Sequence, residues 1–418
     1  MFFVGIALAF AADADRIGFL RSAEIASGPL EAELEVLGRI SVRGEWVSFD
    51  SETSAVPLRV IMPRREGEAL PRIGEIRHTA GWLERRKIGD RRRRILWVKG
   101  RVTRCDKVGE IAFAPVLRFL DRVRARLSEN LAFGVGDLHS VSLLRAMVLG
   151  ERSELAAEDR IAFRDAGTMH VFAISGLHIG VIAIMLVVFL VLCSVPLRWA
   201  GIAMIPMLWA YVLMIGFLPS AVRAALMASL YFAAPAFWRR SDSLVAWSQT
   251  FLLVHVLSPL QITDVGSLLS FMVMFWLLFY GRWAKAIALR PSVAALGFPV
   301  IAWSAGTPIA ARVFERITPG GLLANFAVVP LASLAVICGV LGASITMLCP
   351  FLGAHFNNAA ALIVNAMCLL SRAVASCAVS NFATEPWSVP MCIGWYVAML
   401  LVFYLIYSIV RRRRSIFD

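Results

Sequence analysis

Arg152, Arg164, His170, Ser175 and His178 fall in one run, GERSELAAEDRIAFRDAGTMHVFAISGLHIG, from Gly150 to Gly180. Imidazole, hydroxyl and guanidinium groups so close together suit proton transfer, nucleophilic attack or anion binding. Ser175 and His178 stand three apart and share a face if the segment is helical, as a nucleophile and its base would. No third group to orient them is evident, although Asp165 is a candidate. The plainer reading has Ser175 bonded back to a carbonyl and Gly176 allowing close helix approach. The next residues, VIAIMLVVFLVLC from Val181 to Cys193, are apolar enough to enter lipid. Polar groups at the mouth of such a segment are costly unless something satisfies them, which makes them candidates for function.

Other polar groups are placed similarly. Arg223 lies near the start of an apolar run, just after Pro219. It either snorkels to the interface or faces a water-filled path where it touches phosphate. Asp264 opens another apolar run, and Asn325 with Pro330 suggests a broken helix lining a cavity. His255 reads as a buried, hydrogen-bonded histidine. The seven cysteines contain no C-x-x-C pair and the six histidines no H-x-H or H-E-x-x-H spacing. No disulfide framework, zinc site or cofactor is therefore expected.

The elements that carry these groups are mostly membrane spans. Of the 418 residues, 59% are hydrophobic and 17% charged, against about half and a quarter in soluble domains. The apolar residues come in blocks long enough to cross lipid, so the chain reads as a polytopic α-helical membrane protein. Nine spans are expected, near 171–194, 198–219, 221–238, 244–260, 263–280, 293–310, 321–348, 357–378 and 391–410. The net charge of +13 collects partly at span ends: Arg239–Arg240, then Arg282, Lys285 and Arg290, then Arg411–Arg414. Nine alternating spans put these clusters on one side, the cytoplasm. The loop with Arg312 and Arg316 breaks the pattern weakly. Everything ahead of the first span then lies outside.

That first part is of a different kind. Met1–Ala12 is apolar but too short to span; it reads as the end of a helix begun upstream or as a short anchor. Residues 13–110 alternate apolar and polar in short runs between Gly, Pro and charged turns, which indicates strands. About five such strands suit a small barrel of the OB type; a sandwich fragment is the rival. From Arg85 to Arg104 ten basic residues face one acid. Arg85, Arg86, Lys87, Arg91, Arg92, Arg93, Arg94, Lys99 and Arg101, with Trp97 among them, could hold single-stranded nucleic acid by charge and stacking. A solvated hairpin tip that discourages edge pairing is the alternative. An outer location gives topology no reason to make the run basic, which favours a polyanionic ligand. Residues 111–166 read as an amphipathic and charged helical linker, suited to a membrane surface or to packing on the barrel.

The run at 150–180 resembles the signature of the ComEC-type competence proteins. It matches at Gly150, Glu151, Arg152, Ser153 and Leu155, at Phe163, Arg164, Gly167 and His170, and from Ala173 to Gly180. PSAVRAALM (219–227), DVGSLLSFMVMFWLLFYG (264–281) and TPGGLLANFAVVPL (318–331) are similar to further family stretches, with Ser267 where Phe is usual. The resemblance implies an outward OB-like domain at 13–110 and a membrane channel domain at 167–418. It also implies uptake of transforming single-stranded DNA across the inner membrane, by a channel rather than an enzyme. Arg152, Arg164, His170, Ser175, Gly176, His178, Arg223, Asp264 and Asn325 become candidates for the entrance or gate. Implied partners are single-stranded DNA, membrane lipid, a cytoplasmic helicase, a DNA receptor and a separate nuclease. Many members end in a metallo-β-lactamase-like domain; with no H-x-H-x-D-H here, no nuclease activity is expected of these residues. The alternative class is a small-molecule or ion transporter, which an inverted repeat would favour; none is evident.

Overall fold

In the computed structural model the described residues are the backbone of seven strands between Gly28 and Arg104, and residues 114–417 apart from 153, 173, 378 and 379. The chain divides into two compact units, Met1–Ala125 and Arg126–Asp418.

The first unit holds β1 (Gly28–Val36), β2 (Ser41–Arg43), β3 (Trp46–Thr53), β4 (Val56–Pro63), β5 (Ile76–Ile88), β6 (Arg91–Val98) and β7 (Thr103–Arg104). Along β4, Val56, Leu58, Val60 and Met62 recur at period 2, the pattern of a half-buried strand. β1 pairs antiparallel with β3 and with β5, β3 with β4, and β5 with β6, while β4 runs parallel to β6. These pairings close a ring in the order β1, β3, β4, β6, β5 and back to β1. Closure leaves those five strands without a free edge. β5 and β6 set Arg85 opposite Arg94, Arg86 opposite Arg93 and Lys87 opposite Arg92.

Helix α1 (Ala114–Ala132) leads into the second unit. There follow α2 (Leu138–Leu149), α3 (Ala157–Asp165), a 3-10 turn at Met169–Phe172, α4 (Gly176–Leu192), α5 (Leu197–Met214), α6 (Pro219–Ala233) and α7 (Ser243–Leu257). After them come α8 (Val265–Ala286), α9 (Pro291–Val313), α10 (Pro319–Ile345), α11 (Pro350–Ala375) and α12 (Val389–Phe417). Two short strands, β8 (Arg316–Ile317) and β9 (Phe382–Ala383), pair antiparallel. Among the described residues seven helices are long and apolar enough to cross a membrane: α5, α6 with the turn after it, and α8 to α12. The chain is a polytopic helical membrane protein. Two of the nine expected spans fall on shorter apolar helices, α4 with 17 residues and α7 with 15.

The main core joins α2, α4, α5, α6, α10 and α11, with Phe163 and Phe172 from the connecting segment. α2, inside the stretch expected as a linker, is buried along nearly its whole length. Small residues let α10 approach its neighbours: Gly342 meets Asn357 of α11 and Gly353 of α11 meets Thr346, while Gly339 packs on Val148 of α2. Between lipid-bathed helices such residues replace the missing hydrophobic drive with close van der Waals contact. A second, aromatic core ties α8, α9 and α12 through Trp276, Tyr280 and Phe403. The expectation of a broken helix at Asn325 and Pro330 is not met. α10 runs unbroken from Pro319 to Ile345 with Pro330 inside it, an internal proline that membrane helices tolerate.

Candidate functional site

The segment from Gly150 to Gly180 is built by successive caps. α2 starts on Asp137, whose carboxylate accepts the amides of His139 (3.0 Å) and Ser140 (3.1 Å). It stops at Gly150, which takes the left-handed conformation (φ 71°) that glycine tolerates best. A second left-handed glycine, Gly167 (φ 70°), ends the α3 segment. A side chain there would press on Thr318 Oγ1 at 2.9 Å and on the Gly321 Cα at 3.0 Å. Gly167 therefore brings the segment against the first turn of α10. Next to it, Thr168 Oγ1 lies 3.2 Å from Ser371 Oγ of α11, both fully buried.

Ser175 is the N-cap of α4 and forms a capping box with His178. The Ser175 amide donates to His178 Nδ1 at 3.1 Å, and Ser175 Oγ lies 3.0 Å from the same nitrogen. A backbone N–H can only donate, so Nδ1 is an acceptor and the ring proton sits on Nε2. The hydroxyl then donates to Nδ1 as well. Ser175 thus bonds to the imidazole rather than to a carbonyl. His178 is 1% exposed, and its Nε2 has no partner among the described residues. Gly176 faces only ordinary contact, with Ala224 Cβ 3.7 Å from a built Cβ. The close approach expected at Gly176 occurs instead at Gly167.

Beside this cap the N-terminal ends of α6 and α8 gather. Ser220 Oγ donates to the Ile174 carbonyl at 2.8 Å, tying α6 to the residue before Ser175. Arg223 is 4% exposed and donates to the Gly266 carbonyl at 3.0 Å, with Phe271 6.0 Å from its guanidinium carbon. It neither snorkels nor opens to solvent; it fastens α6 to the start of α8. Asp264 caps α8 by accepting the Ser267 amide at 3.0 Å. Each helix start adds partial positive charge. Asn325 sits one turn beyond Gly321 on α10, with its side-chain carbonyl oxygen buried and unpartnered. His255 is half-buried; its Nδ1 lies 2.8 Å from the Phe251 carbonyl.

The remaining candidates stand at the surface of this end. His170 is exposed and bonds to the Gly167 backbone. Arg164 pairs with Asp165 at 3.0 Å, and Arg316 reaches the same carboxylate at 3.5 Å. Arg152 is open to solvent, yet the protein packed around it, and then the Arg160 cation, hold its guanidinium below the usual arginine range. Ser153 and Ala173 lie outside the described residues. So do Lys99, Arg101 and the side chains of Arg85, Arg86, Lys87, Arg91 to Arg94 and Trp97.

One feature had no signal in the spacing. Asp159 of α3 is 1% exposed and binds His139 Nε2 of α2 at 2.6 Å and Arg372 of α11 at 2.9 Å. A buried carboxylate needs such partners. They are 20 and 213 residues away in sequence, beyond the reach of any local spacing.

Fold and site together define a multi-pass membrane protein with polar, capped helix starts gathered at one end of its bundle. The chain belongs to the competence protein family, whose model matches residues 147–408. That range contains the whole Gly150–Gly180 segment and the membrane helices named above, the last of them up to residue 408. Over 139 residues the chain is 28% identical to ComE operon protein 3 of Bacillus subtilis (strain 168), covering 33% of this chain and 18% of the relative. Over 161 residues it is 30% identical to competence protein ComA of Neisseria gonorrhoeae, covering 35% of this chain and 23% of the relative. The aligned part thus spans less than a quarter of either relative's length. No solved structure matches the chain significantly.

Proposed function

We propose that this protein is an inner-membrane channel through which transforming single-stranded DNA enters the cell. The observation that carries the reading is the family match over residues 147–408, which includes the Gly150–Gly180 segment. Residues 13–110 form an OB-like domain outside the membrane; the closed ring of five strands supports this. The β5–β6 hairpin sets basic residues directly opposite one another. Like charges so placed destabilise a hairpin unless an anion lies over them. A single strand would be held there by charge and by stacking on aromatics such as Trp97.

The strand then meets the mouth of the bundle. Arg152, Arg164 and His170 are the exposed groups that touch it, while Ser175, Gly176, His178, Arg223, Asp264 and Asn325 keep the helix starts in place. The gathered helix N-termini draw phosphates inward. The basic clusters at Arg239–Arg240, Arg282–Arg290 and Arg411–Arg414 mark the cytoplasmic end. A cytoplasmic helicase would supply the energy, with a DNA receptor and a separate nuclease acting before entry.

Binding of a single-stranded oligonucleotide by the purified full chain tests the outer half of this reading. The log of affinity should fall linearly with the log of salt. Replacing Arg91–Arg94 by alanine should flatten the slope by about 0.7 per lost phosphate contact. Binding that ignores salt, or that survives the replacement unchanged, would sink it.

A further inference from the structure

The end of the bundle opposite the Gly150–Gly180 segment carries a second polar construction. α5 begins with Leu197, Arg198 and Trp199, and the 3-10 turn after α6 closes with Phe237, Trp238, Arg239 and Arg240. Gly201 brings the two together: any side chain there would overlap the Phe232 carbonyl. One turn before that contact, Arg198 places its guanidinium carbon 5.7 Å from the Trp199 ring and 5.9 Å from the Trp238 ring.

Trp238 is 88% exposed and holds a left-handed backbone (φ 57°). Both are unusual for a bulky residue. The turn thus presents the indole outward. Arg198, Arg239 and Arg240 are all exposed, and none has an ion-pair partner among the described residues. Between Cys193 and Arg290 the acids are Asp242 and Asp264 alone. Asp242 is taken by Arg282 and by the start of α7, and Asp264 caps the far end of α8. At the other end of the bundle Arg145, Arg164, Arg316 and Arg372 each have a carboxylate. Exposed Leu192, Leu197 and Phe237 surround the arginines with apolar surface.

We propose that Arg198, Arg239, Arg240, Trp199 and Trp238 form a binding site for the phosphate headgroup of an anionic phospholipid. Guanidinium groups supply the donors for a phosphodiester. The indoles lie at the depth where aromatic side chains meet headgroups, and Leu197 and Phe237 lie against the acyl chains. A nucleic-acid strand would want the aromatics without the apolar surround. The site does not depend on the channel reading.

Native mass spectrometry of the full chain tests this, after detergent exchange and exposure to equal phosphatidylglycerol and phosphatidylcholine. The wild type should retain phosphatidylglycerol preferentially. Each arginine lost should weaken that retention by about fivefold, and Trp238→Ala and Arg198→Lys should weaken it too. Arg198→Lys keeps the charge but loses the flat stack, so it reports on the site even if the triple variant, with Arg198, Arg239 and Arg240 all replaced by alanine, does not fold. Equal retention of both lipids, or retention unchanged in Arg198→Lys and Trp238→Ala, would overturn the proposal. So would displacement of phosphatidylglycerol by a single-stranded oligonucleotide that the triple variant no longer binds.

Discussion

Ser175 and His178 carry the sharpest alternative at the scale of single residues. Their contact at 3.0 Å would serve a nucleophile and base, but the Ser175 amide bonds to the same Nδ1. That second bond makes the pair a helix cap. Ser175→Ala removes one of two donors and should cost about 1 kcal/mol of stability, leaving DNA uptake within a few-fold of wild type. Loss of a nucleophile would instead cost several orders of magnitude. Transformation frequency at matched protein level separates the two. Asp159 is a different case, because the carboxylate is buried while Arg372 is half-exposed. Arg372→Ala leaves that charge with His139 alone and should destabilise by about 3 kcal/mol, read as a lower denaturant midpoint. Arg372→Lys should recover part of it. Recovery to wild type by alanine would show that the pair holds nothing.

Among elements, the caps and the close approaches set the geometry. Gly167 meets Thr318 and Gly321 while in a left-handed backbone. Gly167→Val should therefore reduce both folded protein and uptake, whereas Gly180→Ala, which meets nothing within 4 Å, should leave both intact. Asp242 starts α7, and its carboxyl is held below the usual carboxylate range by the Val245 and Leu244 amides and by Arg282. A lowered folded pKa gives stability that is present above the unfolded value of about 3.9 and lost as pH falls through the folded one. The protection factors of the Leu244 and Val245 amides, taken against the intrinsic exchange rate at each pH, should thus be high at neutral pH and fall in acid. In Asp242→Ala the protection should already be missing at neutral pH. The spans were legible because twenty apolar residues in a row have few other uses. The strands were legible because period 2 survives any tertiary context. The unbroken α10 was not, since Pro330 breaks helices in water, whereas a membrane helix tolerates an internal proline. Nor was the close approach of Gly201 to Phe232, which depends on how two helices cross.

For the molecule as a whole, the two compact units divide the work proposed for them, one a strand ring and the other a helical bundle. The family's signature residues were readable in order along the chain. Their division into exposed groups (Arg152, Arg164, His170) and structural ones (His178, Arg223) was not, because burial is decided by α8, α10 and α11 far downstream. The alternation of the helices and the basic clusters at one end predict that a tag after Arg414 is reached only from the cytoplasm. Labelling of single cysteines in intact and opened cells checks this. The most direct measurement of the central claim follows labelled duplex DNA added to competent cells with and without this chain. With the chain, one strand should become protected from external nuclease inside the cell. Without it, the label should bind the surface equally well and remain fully digestible. Equal protection in both strains would contradict the channel.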